Sequence, residues 1–234
     1  MKEGYLMESY GLRIISKFII EDTIEVYKNT NLTKCMGKIR NIKEKIKIKE
    51  MSFDIYDCEF YRDKKSDIIV DGSPISEFKE VNYFKIYCCQ KKSMLVANVS
   101  LNICTPFLKY LEASNPNLVE YSKINFDYTK IVRNKALVDQ IWFGTSDQHA
   151  RTKSFNGVRV DKNTEAMNAI QGGKATFIKA QIDVSSNGKN KKRTIGFSKK
   201  SGITIFKTND SEINDFTKHF MLLLDTYNTY STFK

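Results

Sequence analysis

The residues whose types and spacing could do chemistry are few, and they point to phosphate. Glu77-Phe78-Lys79, with Asp67 or Asp71 upstream, has the makings of a metal-dependent nuclease: two acids for a divalent ion and a lysine beside the attacked phosphate. Glu-x-Lys also arises by chance in a chain with 28% charged residues, and Pro74 should disrupt the strand that presents it. Asp147, His149 and Arg151 form a second grouping, in which a histidine titrating near neutral pH and a phosphate-neutralising arginine suit acid–base or RNA-cleaving work. A chance cluster on a polar loop is the favoured reading of the three. His219 is read as a flank or core residue of the last helix. The chain has no Gly-rich phosphate loop, nucleotide-binding fingerprint or Gly-x-Ser-x-Gly elbow. No catalytic residue is therefore assigned, and no cofactor or metal is expected.

Charge says more than motifs. Between Lys174 and Lys207 nine Lys or Arg residues face one acid, Asp183, so this stretch supplies +8 of a formal net charge of +11. A second basic segment, 34–49, carries seven cations against Glu44, or +6, which leaves the remainder at −3. Two positive foci could grip two stretches of one polyanion. A pI near 9.3 favours an acidic partner, most often nucleic acid or an anionic membrane surface.

These charges must be positioned by the segment 174–230. From Thr176 to Val184 apolar residues alternate, placing Thr176, Ile178, Ala180, Ile182 and Val184 on one side and Phe177, Lys179, Gln181 and Asp183 on the other. Asn187-Gly188 supplies a tight turn, and Lys191 to Ser198 resumes the alternation with Ile195 and Phe197 inward. Ser201-Gly202 turns into a third strand with Ile203 and Ile205 inward. Asn209 with Glu212 starts a helix whose stripe Ile213, Phe216, Phe220, Leu223, Leu224 and Tyr227 should cover the apolar face. The opposite face would carry Phe177, Lys179, Gln181, Lys192, Thr194, Ser198, Lys200 and Phe206.

Upstream, the first 30 residues lean towards strands, and 34–49 fits either element type. Residues 52–62 suggest a strand with a bulge, since Phe53 and Ile55 alternate before Tyr56, Cys58 and Phe60 take over one face. Short strands follow at 67–70, 81–89 and 94–99. Thr105-Pro106 reads as the start of a short helix and 113–118 as a linker. Asp127 should cap a helix running through Ile131, Val132, Leu137, Val138, Ile141 and Trp142 to Gly144. Val158 and Val160 suggest a brief strand, and Asp161 or Asn163 a helix ending at Gly172-Gly173.

At 234 residues, with 41% hydrophobic side chains, the chain can bury a sizeable core. The five cysteines are odd in number and lack C-x-x-C spacing, which argues for buried reduced thiols and a cytoplasmic setting. Arg13 and Lys17 interrupt the apolar run Leu12–Ile20, so neither a signal peptide nor a membrane span is expected.

The succession helix, three strands, helix is similar in topology to a double-stranded-RNA-binding domain. Such domains open their last helix with Lys-Lys-x-Ala-Lys, whereas this chain has the acidic Asn209-Asp210-Ser211-Glu212. Lys179-Ala180-Gln181-Ile182-Asp183 with Asn187-Gly188-Lys189 and Gly196-Phe197 resembles the DNA readers that lay a three-stranded sheet in the major groove. The strand 199–206 departs from their pattern.

The resulting expectation is an α+β protein, mainly antiparallel sheet over 1–115, with an α-β-β-β-α unit and a basic hairpin in 116–234. Its function would be nucleic-acid binding, DNA favoured over RNA. Lys189, Lys191, Lys192, Arg193, Lys199 and Lys200 would neutralise phosphates, and Lys179 and Gln181 would reach groove or sugar. Phe177 and Phe206 would stack on bases of a single-stranded target. The alternatives are an interaction or inhibitor module for an acidic protein and, behind it, a metal-dependent nuclease.

Overall fold

The computed structural model describes residues 7–29, 31–133, 137–147, 149–186, 189–206 and 216–232, with side chains for all of these except 185, 186 and 189–191. The chain is α+β and rich in antiparallel strands, and it gathers into two compact units, Arg13–Ser122 and Met1–Leu12 with Lys123–Lys234.

In Arg13–Ser122 the strands are β1 (Met7–Phe18, from Arg13 on), β2 (Thr23–Tyr27), β3 (Cys35–Ile48), β4 (Met51–Val70), β5 (Ser73–Cys89), β6 (Met94–Ala97) and β7 (Val119–Lys123, up to Ser122). Their order is β1-β6-β5-β4-β3-β2, with β7 on β1. The early residues and the basic stretch after Lys34 are thus strands. The change of face between Phe53 and Tyr56 is present, but the extra residues sit in β3: Asn41 stands opposite Tyr56 and Lys45 opposite Asp54, and Lys43 between them has φ 60. β5 runs through Pro74, opposite Ile69, so the proline does not break it. It stands at the second residue of the strand, where a missing N–H costs little.

Helix α1 (Leu101–Ser114) begins four residues before the expected Thr105-Pro106 start and carries Pro106 inside it. Cys104, Phe107, Leu108 and Leu111 are all buried, and packing this stripe outweighs the hydrogen bond that the proline removes. Phe107 meets Phe84 and Phe60 edge-on, at 5.1 and 5.8 Å between ring centroids. The stretch expected to be a linker is a tight corner: the Asn115 carbonyl accepts from the N–H groups of Leu118 and Val119 at 3.0 Å. Four of the five cysteines are buried free thiols, and burial pushes Cys88 up to about 12 and Cys104 to about 11.

The other unit joins Met7–Gly11 of β1 to β8 (Asn125–Phe126), β9 (Leu137–Gly144), β10 (Thr152–Asn156), β11 (Ala175–Ser186), β12 (Lys189–Ser198), β13 (Gly202–Phe206) and β14 (Ser231–Thr232). The main sheet runs β10-β9-β11-β12-β13-β1, and β14 pairs with β8. The helices are α2 (Tyr128–Arg133), α3 (Thr164–Gln171) and α4 (Phe216–Tyr230). Asp127 does cap α2, its Oδ1 accepting from Lys130 N–H at 2.9 Å. The helix nevertheless ends at Arg133, and the remainder of the expected long helix is strand β9. Val138, Ile141 and Phe143 are buried there, with a bulge next to Asp139. Gly144 is accordingly a strand residue and no helix terminus. Val158 and Val160 form no strand: Val158 is 90% exposed and Val160 opens a 3-10 turn, while β10 precedes them. Asn163 caps α3, its Oδ1 accepting from Ala166 N–H at 3.0 Å. The capping residues Asn209 and Glu212 expected for the last helix lie outside the described residues.

One face of this sheet is apolar. Ile178, Ala180, Ile182, Ile195, Phe197, Ile203 and Ile205 are buried, as are Phe220, Leu223, Leu224 and Tyr227 of α4. Phe197 meets Tyr230 of α4 edge-on at 5.5 Å, and the Tyr128 hydroxyl of α2 donates to the Phe197 carbonyl at 3.1 Å. Thr176, expected inward, is exposed, because a bulge between Ala175 and Phe177 makes Ala175 the buried residue.

At Gly37 two backbones come close together: an added Cβ would lie 2.0 Å from the Glu59 carbonyl oxygen. Gly37→Ala must push β3 off β4, so it should lower unfolding stability in urea by about 1–3 kcal/mol. Gly144→Ala, where a Cβ meets nothing within 4 Å, should stay within about 0.5 kcal/mol of the parent.

Candidate nucleic-acid interface

The two basic segments differ once their neighbours are known. In the unit Arg13–Ser122, β3 is the first arm of a hairpin whose second arm carries acids. Lys38 contacts Glu59 at 3.0 Å, Arg40 contacts Asp57 at 3.2 Å and Lys45 contacts Asp54 at 3.0 Å. Lys34 pairs with Asp63, and Lys43 lies 3.5 Å from Asp22. Asp57 also accepts from Lys85 at 2.7 Å. A groove of about 530 Å³ lies over these rows, lined by Lys38, Arg40, Asp57, Glu59, Tyr83 and Lys85 among others. Each exposed pair contributes roughly 0–1 kcal/mol, but together they cancel the local field. The second positive focus expected from 34–49 is therefore largely neutralised.

The sheet of the other unit presents a different surface opposite its apolar face. Cross-strand register lays it out in rows. Ser154, Trp142, Phe177, Ser198 and Gly202 form one row. The next holds Asn156, Gln140, Lys179, Gly196, Thr204 and Ser9, followed by Gln181, Thr194, Phe206 and Met7. Asp183 and Lys192 form the last. Lys179 Nζ lies 4.7 Å from the Phe206 ring centroid, a cation–π contact. Gln181 Nε2 reaches Asp139 Oδ2 at 3.5 Å, and Lys199 Nζ donates to the Gly173 carbonyl at 2.8 Å. Lys192 and Lys200 are exposed. Among the described residues, Lys179, Lys192, Lys199 and Lys200 have no carboxylate within salt-bridge distance.

The expected hairpin residues are distributed unevenly. Lys192 stands opposite Asp183 on the open face, whereas Arg193 stands opposite Ile182, on the side where Ile195 and Phe197 are buried. Lys191 and Lys189 are in register with Val184 and Ser186, and their side chains lie outside those described, as does the turn Asn187-Gly188. Sequence reasoning missed Trp142, which a helix would have carried elsewhere. As the strand residue opposite Phe177 it is 44% exposed, with its ring 5.7 Å from that of Phe177.

The groupings that suggested catalysis are occupied differently. Glu77 Oε1 pairs with Lys65 at 2.8 Å, and Lys79 lies 6.0 Å above the Tyr61 ring. Among the described residues no group of three or more His, Cys, Asp or Glu is arranged to hold a metal ion. Asp147 Oδ1 accepts from the backbone N–H groups of His149 and Ala150, at 2.8 and 3.2 Å, so the carboxylate serves the loop backbone. His219 is buried, with Nδ1 2.8 Å from Glu8 Oε2, and Tyr10 donates to the same oxygen at 2.6 Å. No helix among the described residues is long and apolar enough to cross a membrane. In comparisons with known proteins, no family model and no curated sequence matches this chain.

The Lys85 hydrogen bond, and after it the Arg40 guanidinium, hold the Asp57 carboxyl below the usual range against the opposing effect of burial. Lys38 does the same for Glu59, and Lys34 for Asp63. Because the folded values are lowered, the linked stability is fully present above the unfolded carboxylate pKa of about 4 and is lost as pH falls through the folded values. The stability gap between the parent and Asp57→Asn should hold from pH 7 down to the unfolded carboxylate pKa of about 4 and close as pH falls further through the lowered folded value. A gap of constant size in urea titrations across that range would contradict the assignment.

Proposed function

We propose that this protein binds nucleic acid through the open face of the sheet β9-β11-β12-β13. The observation that supports this reading is the contrast between the two basic segments: Lys38, Arg40, Lys43 and Lys45 of β3 are matched by carboxylates, while Lys179, Lys192, Lys199 and Lys200 are not, among the described residues. The stretch 174–207 holds +8, so the potential of the chain is concentrated where the unmatched lysines lie. These four would position the backbone through its phosphates. Gln140, Thr194 and Thr204 offer neutral hydrogen bonds to sugar or base on the same face.

Arg193 is left out of the phosphate set because it shares the side of the buried Ile195 and Phe197. An acidic protein surface is the competing ligand, and it differs in its salt response. Neutralising about four phosphates should cost roughly a hundredfold in affinity between about 50 and 200 mM salt.

Fluorescence anisotropy with labelled oligonucleotides tests the reading. Lys179→Glu with Lys192→Glu should abolish binding at about 150 mM salt and leave the circular dichroism spectrum unchanged. Lys43→Glu with Lys45→Glu should weaken it only a few-fold, because those lysines are already paired with Asp22 and Asp54. A flat salt response, or loss confined to the second pair, would overturn the assignment.

A further inference from the structure

The open face holds aromatic rings as well as lysines, and their arrangement narrows the ligand. Trp142 of β9 and Phe177 of β11 are opposite one another, with centroids 5.7 Å apart and planes tilted by 56°. On the far side of Phe177 comes Gly196 of β12, whose added Cβ would lie 2.7 Å from Phe177 Cζ and 3.3 Å from Phe206 Cε2. The absent side chain lets both phenylalanine rings lean over β12, so Trp142, Phe177 and Phe206 form one line of rings across β9, β11, β12 and β13. Lys179 stands against this line, above the Phe206 ring.

We infer that this face takes a single-stranded nucleic acid, whose unstacked bases lie on Trp142, Phe177 and Phe206 while Lys179 and Lys192 meet the phosphates between them. The inference rests on the nucleic-acid reading above and specifies its ligand. A duplex keeps its base faces stacked inside and offers only phosphates and base edges, so exposed rings gain little from it. A single strand offers π-faces, and stacking one on an aromatic side chain is indifferent to sequence. Covering a strand glycine with an aromatic neighbour is a known way to stabilise a sheet, and it accounts for Phe177 and Phe206. It does not account for Trp142, which lies a strand further from Gly196 and is 44% exposed.

Trp142 is the only tryptophan in the chain, so its fluorescence reports on this platform alone. The full chain is titrated with oligothymidylate and oligouridylate of about 12 nucleotides, a duplex of equal length and inorganic polyphosphate. The expected result is quenching by one or both single strands, at least about tenfold tighter binding to them than to the duplex, and no quenching by polyphosphate. The preferred sugar separates a DNA from an RNA ligand. Phe177→Ala should weaken single-strand binding by about 5- to 100-fold with duplex and polyphosphate binding unchanged, and Phe177→Tyr should restore it. Trp142→Ala, at an exposed position, should show the same loss by anisotropy if Phe177→Ala fails to fold. Equal binding of single strand and duplex without quenching, and no loss in the alanine variants, would overturn the platform while leaving the basic face as a phosphate binder. Absence of binding to every polyanion would overturn the nucleic-acid reading and this inference with it.

Discussion

The register between β11 and β12 decides what this protein can present to a partner. Ile178 is set opposite Phe197 and Ala180 opposite Ile195, so every alternate pair is driven under the helices. The pairs between them, Phe177 with Ser198, Lys179 with Gly196 and Gln181 with Thr194, are left facing out. A slip of one residue would send Lys179 and Thr194 into the core and expose Ile178 and Phe197, at a cost of several buried side chains worth about 1.5–3 kcal/mol each. The open face is thus held in place by the burial of the opposite one. Helix α4 contributes through Tyr230 on Phe197, and α2 through the Tyr128 hydroxyl on the Phe197 carbonyl.

Net charge counted along the chain is a poor guide to where a positive field forms, and β3 shows why. Its lysines look like a second binding segment when counted along the chain. Folding back at Lys49-Glu50 lays β4 beside them, with Lys45 opposite Asp54, Arg40 opposite Asp57 and Lys38 opposite Glu59. Cross-strand pairs of opposite charge hold the hairpin in register and leave little field for a distant phosphate. On β11 to β13 the only acid within the stretch is Asp183, so the same number of folds back cannot neutralise it.

Elements with one strong period were legible in the sequence. β11 to β13 follow from alternation, the end of α3 from Gly172-Gly173 and its start from Asn163, whose side chain caps it as the residue type suggested. The face of the lysines Lys179 and Lys192 follows from the same alternation. Where two periods fit, local reasoning failed. Ile131, Val132, Leu137, Val138, Ile141 and Trp142 satisfy a helical stripe, yet a bulge beside Asp139 lets Val138, Ile141 and Phe143 share one side of a strand. Pairing between β10 and β11, with Val138, Ile141 and Phe143 buried, selects the strand, a tertiary preference that no window of sequence contains. Placing this stretch on a helix also hid Trp142, and with it the third ring of the platform. The charge compensation of β3 was hidden for a similar reason, since it appears only when the hairpin partner is known.

The central claim is that the polyanion lies on the open face of β9, β11, β12 and β13, and photochemical crosslinking locates it most directly. The full chain is irradiated with a single-stranded oligonucleotide carrying 5-iodouracil, and the adducts are mapped by mass spectrometry of proteolytic peptides. Bases stacked on the platform should give adducts at Trp142, Phe177 or Phe206. Adducts confined to Arg13–Ser122, with none on these three residues, would contradict the account.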